Sequence, residues 1–492
     1  MLTIVAHPNP RRVGDRTTLS AVPIGGSAGI SRLEPAFVSP RAARGEPLAD
    51  GHLSRSPLRI HRRDGGAVEL DVRETSTRVV ADGVPIHETL LLERAALVRG
   101  VVLELADSVA LVLSEGEPIS EPDDDLGLVG ESSEIARVRR EIRVLTDLDV
   151  TVLVVGETGS GKELVARAIH RAGMRRDRPF VAINMGAIPP SLAGAELFGA
   201  ERGAFTGAVR DHPGHFRAAE DGTLFLDEVG ETPVDVQAML LRALDSGEVQ
   251  PLGSSQPRPV RARVIAATDA DLEELVRRGA FRAPLLHRLA SYTVVVPPLR
   301  IRRDDIGRLI QHFLRLEQGQ QIGGAAQAQD RQLLSASMIA ALCRYDWPGN
   351  VRQLRNAVRQ LVVGSRGGSV EAGPALARIL SASFGGTAAA LPTDVARTSP
   401  AFEREDRRRP NDVTEDELLQ TLRACRWDLK STAERLRISR TSLYALVEAS
   451  PHVRRVADID PAEIGRVYQE CAGNLDQMVE RLEVSKHALA RR

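Results

Sequence analysis

Lysine is nearly missing from this chain of 492 residues: it occurs at Lys162, Lys430 and Lys486, and arginine fills the other basic positions. A lysine against that background marks a place where a compact ammonium is wanted rather than a planar fork. Cysteine is scarce too. Cys343, Cys425 and Cys471 are odd in number, far apart and without metal-ligand spacing, which excludes a disulfide scaffold and fits reduced thiols in a cytoplasmic protein. No apolar run approaches the roughly 18 residues of a membrane span. The opening residues lack the basic-then-apolar order of a secretory leader, so neither anchor nor export is expected. Lys+Arg 65 against Asp+Glu 66 leaves a net charge of −1, which excludes a bulk polycation and requires any nucleic-acid contact to come from a local patch.

What remains is an ordinary globular composition, 42% hydrophobic and 27% charged, long enough for three or four domains at about 100–200 residues each. Residues 1–113 alternate in short apolar segments broken by turns such as Asp64-Gly65-Gly66 and Asp82-Gly83, the pattern of a β-sandwich. An acidic linker, 114–127, carries three consecutive aspartates. From 128 to 300, strands at 151–155, 180–184, 223–227, 264–268 and 292–296 alternate with helical stretches, which predicts a mostly parallel sheet covered by helices. Residues 301–364 read as helical, 365–412 as a flexible Gly- and Ala-rich connection, and 413–492 as helical again. This last portion repeats: shifting 417–446 by 46 positions lays Cys425 on Cys471, Leu429 on Leu475 and Glu434-Arg435-Leu436 on Glu480-Arg481-Leu482.

The chemistry concentrates where the first lysine stands. Gly156-Glu157-Thr158-Gly159-Ser160-Gly161-Lys162-Glu163 follows an apolar strand and opens a helix, so backbone N–H groups and the helix N-terminus converge on phosphate oxygens while Lys162 reaches the outer phosphates. Glu163 stands where a hydroxyl would help to hold Mg²⁺, which shifts the metal onto another carboxylate. The apolar strand Thr223-Leu224-Phe225-Leu226 ends in Asp227-Glu228: Asp227 is the candidate Mg²⁺ ligand and Glu228 the group that polarises an attacking water. The two motifs together predict nucleoside triphosphate hydrolysis.

Gly203-Ala204-Phe205-Thr206-Gly207-Ala208, preceded by Glu196-Leu197-Phe198-Gly199, resembles the signature of the AAA+ bacterial enhancer-binding proteins that activate sigma-54 RNA polymerase, over about residues 128–364. The resemblance implies ATP as the nucleotide and a loop that presses on sigma-54 as ATP is turned over. It implies that Asn184 restrains Glu228, that Arg282 and Arg288 reach a neighbouring subunit's nucleotide, and that Arg352 is the lid arginine. Trans-acting arginines imply a homo-oligomer, by likeness a hexamer. The first-sensor asparagine is replaced by Asp269, leaving Thr268 to carry that polar contact, and Ala283-Pro284 replaces an acidic pair.

Both ends carry further resemblances. Residues 428–447 are similar to a Fis-type helix-turn-helix, which implies DNA contacts from Lys430, Ser439, Arg440, Thr441, Ser442 and Tyr444. The second copy, 451–492, reads as a degenerate version in which Lys486 replaces Arg440. Residues 1–113 resemble a forkhead-associated domain. Arg32, Ser54, Arg55 and Thr77 fall at its phosphothreonine-gripping positions, so the domain is either a reader of a threonine-phosphorylated protein or a degenerate copy kept for protein contact. The whole predicts a multidomain activator: β-sandwich, α/β P-loop ATPase with helical lid, and all-α helix-turn-helix, bound to upstream promoter DNA and acting on the sigma-54 RNA polymerase holoenzyme. The alternative is a DNA-bound scaffold whose hydrolysis is feeble.

Overall fold

The computed structural model describes residues 1–19, 22–39, 45–116, 125–204, 210–321 and 334–364, and in the last hundred residues 415–424, 432, 435–436, 450, 461–471, 478 and 481. The chain divides into two compact units, Met1–Ala388 and Ala389–Arg492.

The N-terminal region is a sandwich of two antiparallel sheets. One has the order Gly45–Glu46, Phe37–Val38, Arg16–Thr17, Leu2–Ala6, Val109–Leu113, Val101–Leu105, Val79–Ala81, Val84–Pro85, and the other Thr89–Leu92, Val68–Asp71, Leu58–Arg62, Ser27–Ile30. Period-2 alternation sends Leu2, Ile4, Leu103 and Leu111 inward to meet Ile30, Leu58, Ile60 and Leu70. The intervening residues Val5, Val102, Ala110 and Val112 point the other way and are equally buried, in a second core shared with Ile306, Leu309, Ile310, Ile339 and Leu342 of the lid. Sequence periodicity predicts a β-sandwich followed by an acidic linker and says nothing of what covers its outer faces. The structure packs its large sheet directly on the lid helices, because the three central strands are largely apolar and buried on both faces and need cover on both.

The central sheet is five-stranded and parallel, in the order Phe180–Asn184, Thr223–Asp227, Arg263–Thr268, Val152–Val155, Tyr292–Val295. Helices Ser133–Val144 and Lys162–Ala172 cover one face through Ile135, Val138, Val165 and Ile169. Pro190–Phe198, Val234–Ser246 and Ala283–Leu289 cover the other through Leu197, Phe198, Leu240 and Leu285. Val155, Thr268, Asp227 and Asn184 therefore end at one edge of the sheet, where ligands bind in such folds.

The lid comprises Ile306–Gln321, Ala336–Arg344 and Asn350–Gly364. Trp347 is fully buried at its centre and donates Nε1 to Leu342 O at 2.8 Å. Cys343 lies in the same core, where burial pushes its thiol up to about 12, an inert apolar filler.

In the second unit, helices Glu415–Ala424 and Pro461–Glu470 have equal length and are offset by the repeat's 46 positions. Thr432 and Met478, also equivalent, are both buried. Among the described residues, no helix is long and apolar enough to cross a membrane.

Candidate active site

The phosphate loop leaves strand Val152–Val155 and enters helix Lys162–Ala172. Gly159 and Gly161 have φ of 76° and 111°, a left-handed backbone that a side chain disfavours. Gly159 is needed twice over, since a Cβ there would stand 2.5 Å from Gly349 O of the lid. Gly156 N donates to Thr268 O at 3.2 Å, fastening the loop to the neighbouring strand. Lys162 is buried, and its Nζ donates to Gly156 O at 2.8 Å and Glu157 O at 3.4 Å, which keeps the ammonium within the loop's own curve.

Asp227 and Glu228 follow on the strand two places across the sheet. Asp227 Oδ1 accepts from Glu228 N at 3.0 Å. Burial pushes the Asp227 carboxyl above the usual carboxylate range, against the pull of that hydrogen bond and of Lys162. Glu228 is held at φ 54°, an uncommon backbone for a residue with a side chain and one that turns its carboxylate off the strand direction. The carboxylate lies over Gly186, where a Cβ would be 2.4 Å from Glu228 Oε2 and 3.4 Å from Asn184 Oδ1. Asn184 and Glu228 thus both border Gly186, while Asn184 Oδ1 accepts from Ala187 N at 3.2 Å. Among the described residues there is no cluster of three or more His, Cys, Asp or Glu side chains that could hold a metal by protein ligands alone. A single desolvated carboxylate beside a phosphate loop fits Mg²⁺, which keeps most of its waters and takes its remaining ligands from phosphates.

Other expected residues are placed as follows. Glu163 is exposed and paired with Arg167 at 2.8 Å, one helical turn on. Thr268 is buried and accepts from Ala270 N, and Asp269 accepts a hydrogen bond from the Thr158 hydroxyl. Ser160 is buried within the loop. Arg352 is exposed at the start of the last lid helix, with its N–H on Gly159 O at 3.3 Å. Arg282 and Arg288 are exposed, donating to Val234 O and Leu244 O, with Asp245 also paired to Arg288 at 3.2 Å. Gly203, with φ 85°, and Ala204 begin the signature loop, whose Phe205, Thr206, Gly207 and Ala208 lie outside the described residues. Lys430, Ser439, Arg440, Thr441, Ser442 and Tyr444 also lie outside them.

In the sandwich, Arg32 N donates to Ser54 O and Ser54 N to Thr77 Oγ1 at 2.8 Å, so three of the four expected phosphopeptide residues form one cluster beside Arg55. No ion pair engages Arg32 or Arg55 among the described residues.

Sequence reasoning missed Arg300 and Asn350. Arg300 grips Glu157 through two hydrogen bonds of 2.8 and 2.7 Å, and Asn350, fully buried, donates to Glu157 Oε2 and Thr158 O. These contacts hold the Glu157 carboxyl below its usual range. The only local signal was Glu157 itself, an acid inside a phosphate-binding loop, which demands a cation.

A glycine-rich loop with an invading lysine, an acidic strand end and a helical lid at one edge of a parallel sheet define a P-loop ATPase domain of the AAA+ type. Comparison with known proteins carries this further. Residues 128–295 match the Sigma-54 interaction domain, 300–383 the AAA+ ATPase lid domain, and 412–445 the bacterial regulatory protein family of Fis type. The central region is thus a sigma-54 interaction domain of the AAA+ type with its lid, followed by a Fis-type segment. The chain is 45% identical over 317 residues to the nitric oxide reductase transcription regulator NorR1 of Cupriavidus necator, covering 64% of this chain and 60% of that protein. It is 47% identical over 243 residues to the DNA-binding transcriptional regulator NtrC of Escherichia coli, about half of each chain. The chain thus spans about 60% of the length of the former and half of the latter. A crystal structure of NtrX from Brucella abortus in complex with ATP superposes with a TM-score of 0.48 at 28% identity, over 66% of this chain and 69% of that one.

Proposed function

We propose that this chain hydrolyses ATP and uses the cycle to remodel a closed sigma-54 RNA polymerase complex at a promoter to which its C-terminal helices bind upstream. The observation that carries the reading is the convergence of Lys162, Asp227 and Glu228 at one sheet edge beneath a lid. Lys162 would neutralise the outer phosphates and Glu228 would polarise the attacking water. Asp227 would hold Mg²⁺, which supplies charge neutralisation between phosphate oxygens when bound. Arg282 and Arg288, both exposed, would complete the site of an adjoining subunit in a ring, by likeness a hexamer. The segment 203–208 would be the part that meets sigma-54.

The N-terminal sandwich would regulate this cycle by taking a phosphothreonine peptide at Arg32, Ser54, Arg55 and Thr77. The backbone of Arg32 on Ser54 and the Thr77 hydroxyl on Ser54 N support that reading, with no ion pair at Arg32 or Arg55 among the described residues. Asp269 beside Thr158 supports the other possibility, a DNA-bound scaffold with feeble hydrolysis. Steady-state ATPase measurement on the full chain separates the two: Glu228→Gln lowers kcat by about 10²–10⁴ if hydrolysis is the function, and leaves an already low rate unchanged if it is not.

A further inference from the structure

The connector from the sheet to the lid consists of two short 3-10 turns, Leu299–Ile301 and Arg303–Asp305, and its side chains divide between two neighbours. Toward the phosphate loop, Arg300 clamps Glu157 with its planar fork, and Arg302, 3% exposed, donates to Ser160 O at 3.3 Å. Leu299 N donates to Asn350 Oδ1 at 2.8 Å, and the same asparagine reaches Glu157 and Thr158.

Toward the sandwich, Arg303 donates to Gly100 O at 3.3 Å and Asp304 accepts from Arg16 at 3.1 Å, with both members of the latter pair buried. Leu299 and Ile306 lie in one core with Val5, Val102, Ala110 and Val112. At Gly307 the lid helix meets strand Leu2–Ala6 backbone to backbone: a Cβ there would stand 2.3 Å from Val5 O. Packed interiors transmit displacement rather than absorb it, so a shift of the large sheet against the lid must move the residues that hold the phosphate loop.

We infer that Arg300 is a positioning residue for nucleotide turnover, and that the N-terminal sandwich sets its position through residues 299–307, so that a ligand of the sandwich acts on the phosphate loop of its own chain. Arg300 spends its guanidinium on Glu157. It fixes Glu157, whose carbonyl accepts from Lys162, and so orients the loop on which the nucleotide sits. The inference rests on the ATP-hydrolysis reading and adds to it a route of control within one subunit.

The test uses the full chain, titrated with a fluorescent, non-hydrolysable ATP analogue and assayed for ATPase across ATP concentration. Arg300→Gln weakens analogue binding by about tenfold and raises KM more than it lowers kcat, and Arg300→Lys, which keeps the charge and loses the fork, restores only part. Gly307→Ala wedges the seam, and the milder Gln311→Ala removes a 2.6 Å bond to Pro10 O without touching the core. Either seam variant changes analogue affinity by about threefold in the wild-type background and leaves it unchanged once Arg300 is Gln, the signature of coupling through that residue. Seam variants with a wild-type thermal midpoint and unaltered affinity overturn the inference, as does an effect of equal size with and without Arg300. Failure of the unmodified chain to bind the analogue refutes the nucleotide site itself, whereas normal binding indifferent to Arg300→Gln refutes only the positioning role.

Discussion

Asp269 accepts a hydrogen bond from the Thr158 hydroxyl, joining the end of the strand Arg263–Thr268 to the phosphate loop. A carboxylate at this point lies against the loop proposed to hold the triphosphate, and like charges repel. Asp269→Asn keeps the hydrogen bond and removes the charge. The variant is expected to bind ATP at least about threefold more tightly, read by equilibrium titration.

Gly186 is the floor under Glu228. A methyl group there collides with the carboxylate's own oxygen at 2.4 Å, the far end of a flexible side chain that can swing away at little cost to folding. Gly186→Ala is therefore expected to lower kcat for ATP by about tenfold or more while the thermal midpoint moves little. Comparing the two measurements on one preparation checks it.

His170 is buried with its Nδ1 on Thr223 Oγ1 at 2.9 Å and its ring against Phe180. Burial pushes its pKa down, helped by Arg171, Arg263 and Arg167 nearby. The unfolded chain therefore binds a proton that the native chain refuses, so stability is full above about pH 6.5 and falls as pH drops toward the lower native value. His170→Asn is expected to flatten this acid limb by up to about 1.4 kcal/mol per pH unit, measured as the wild-type-minus-variant difference in denaturant unfolding.

The Arg32, Ser54 and Thr77 cluster is expected to bind a phosphothreonine peptide, and to lose about tenfold or more in affinity on Arg32→Ala or Ser54→Ala, by calorimetry with the unphosphorylated peptide as control.

Local features were legible in the sequence and long-range ones were not. Gly159, Gly161, Lys162, Asp227 and Glu228 declare themselves because a phosphate loop and an acidic strand end are written in consecutive residues. All five central strands follow from apolar runs bounded by turns, and the structure has them within a residue or two. The Arg300–Glu157–Asn350 cluster joins residues more than 140 positions apart, and no periodicity reports on such a meeting. The seating of the sandwich on the lid had a signal of its own. Val101–Leu105 and Val109–Leu113 are apolar on both faces instead of one, and the exception, Glu104, is buried against Arg344 of the lid.

The claim on which the account turns is that ATP turnover drives the 203–208 loop against sigma-54 polymerase. It is tested most directly by footprinting the melted start site of a sigma-54 promoter with wild-type protein and with Thr206→Ala, each at matched and measured ATPase rate. The account predicts full melting with wild type and none with Thr206→Ala at an undiminished rate of hydrolysis. Equal melting by both proteins, or none by a wild-type protein that hydrolyses ATP normally, would contradict it.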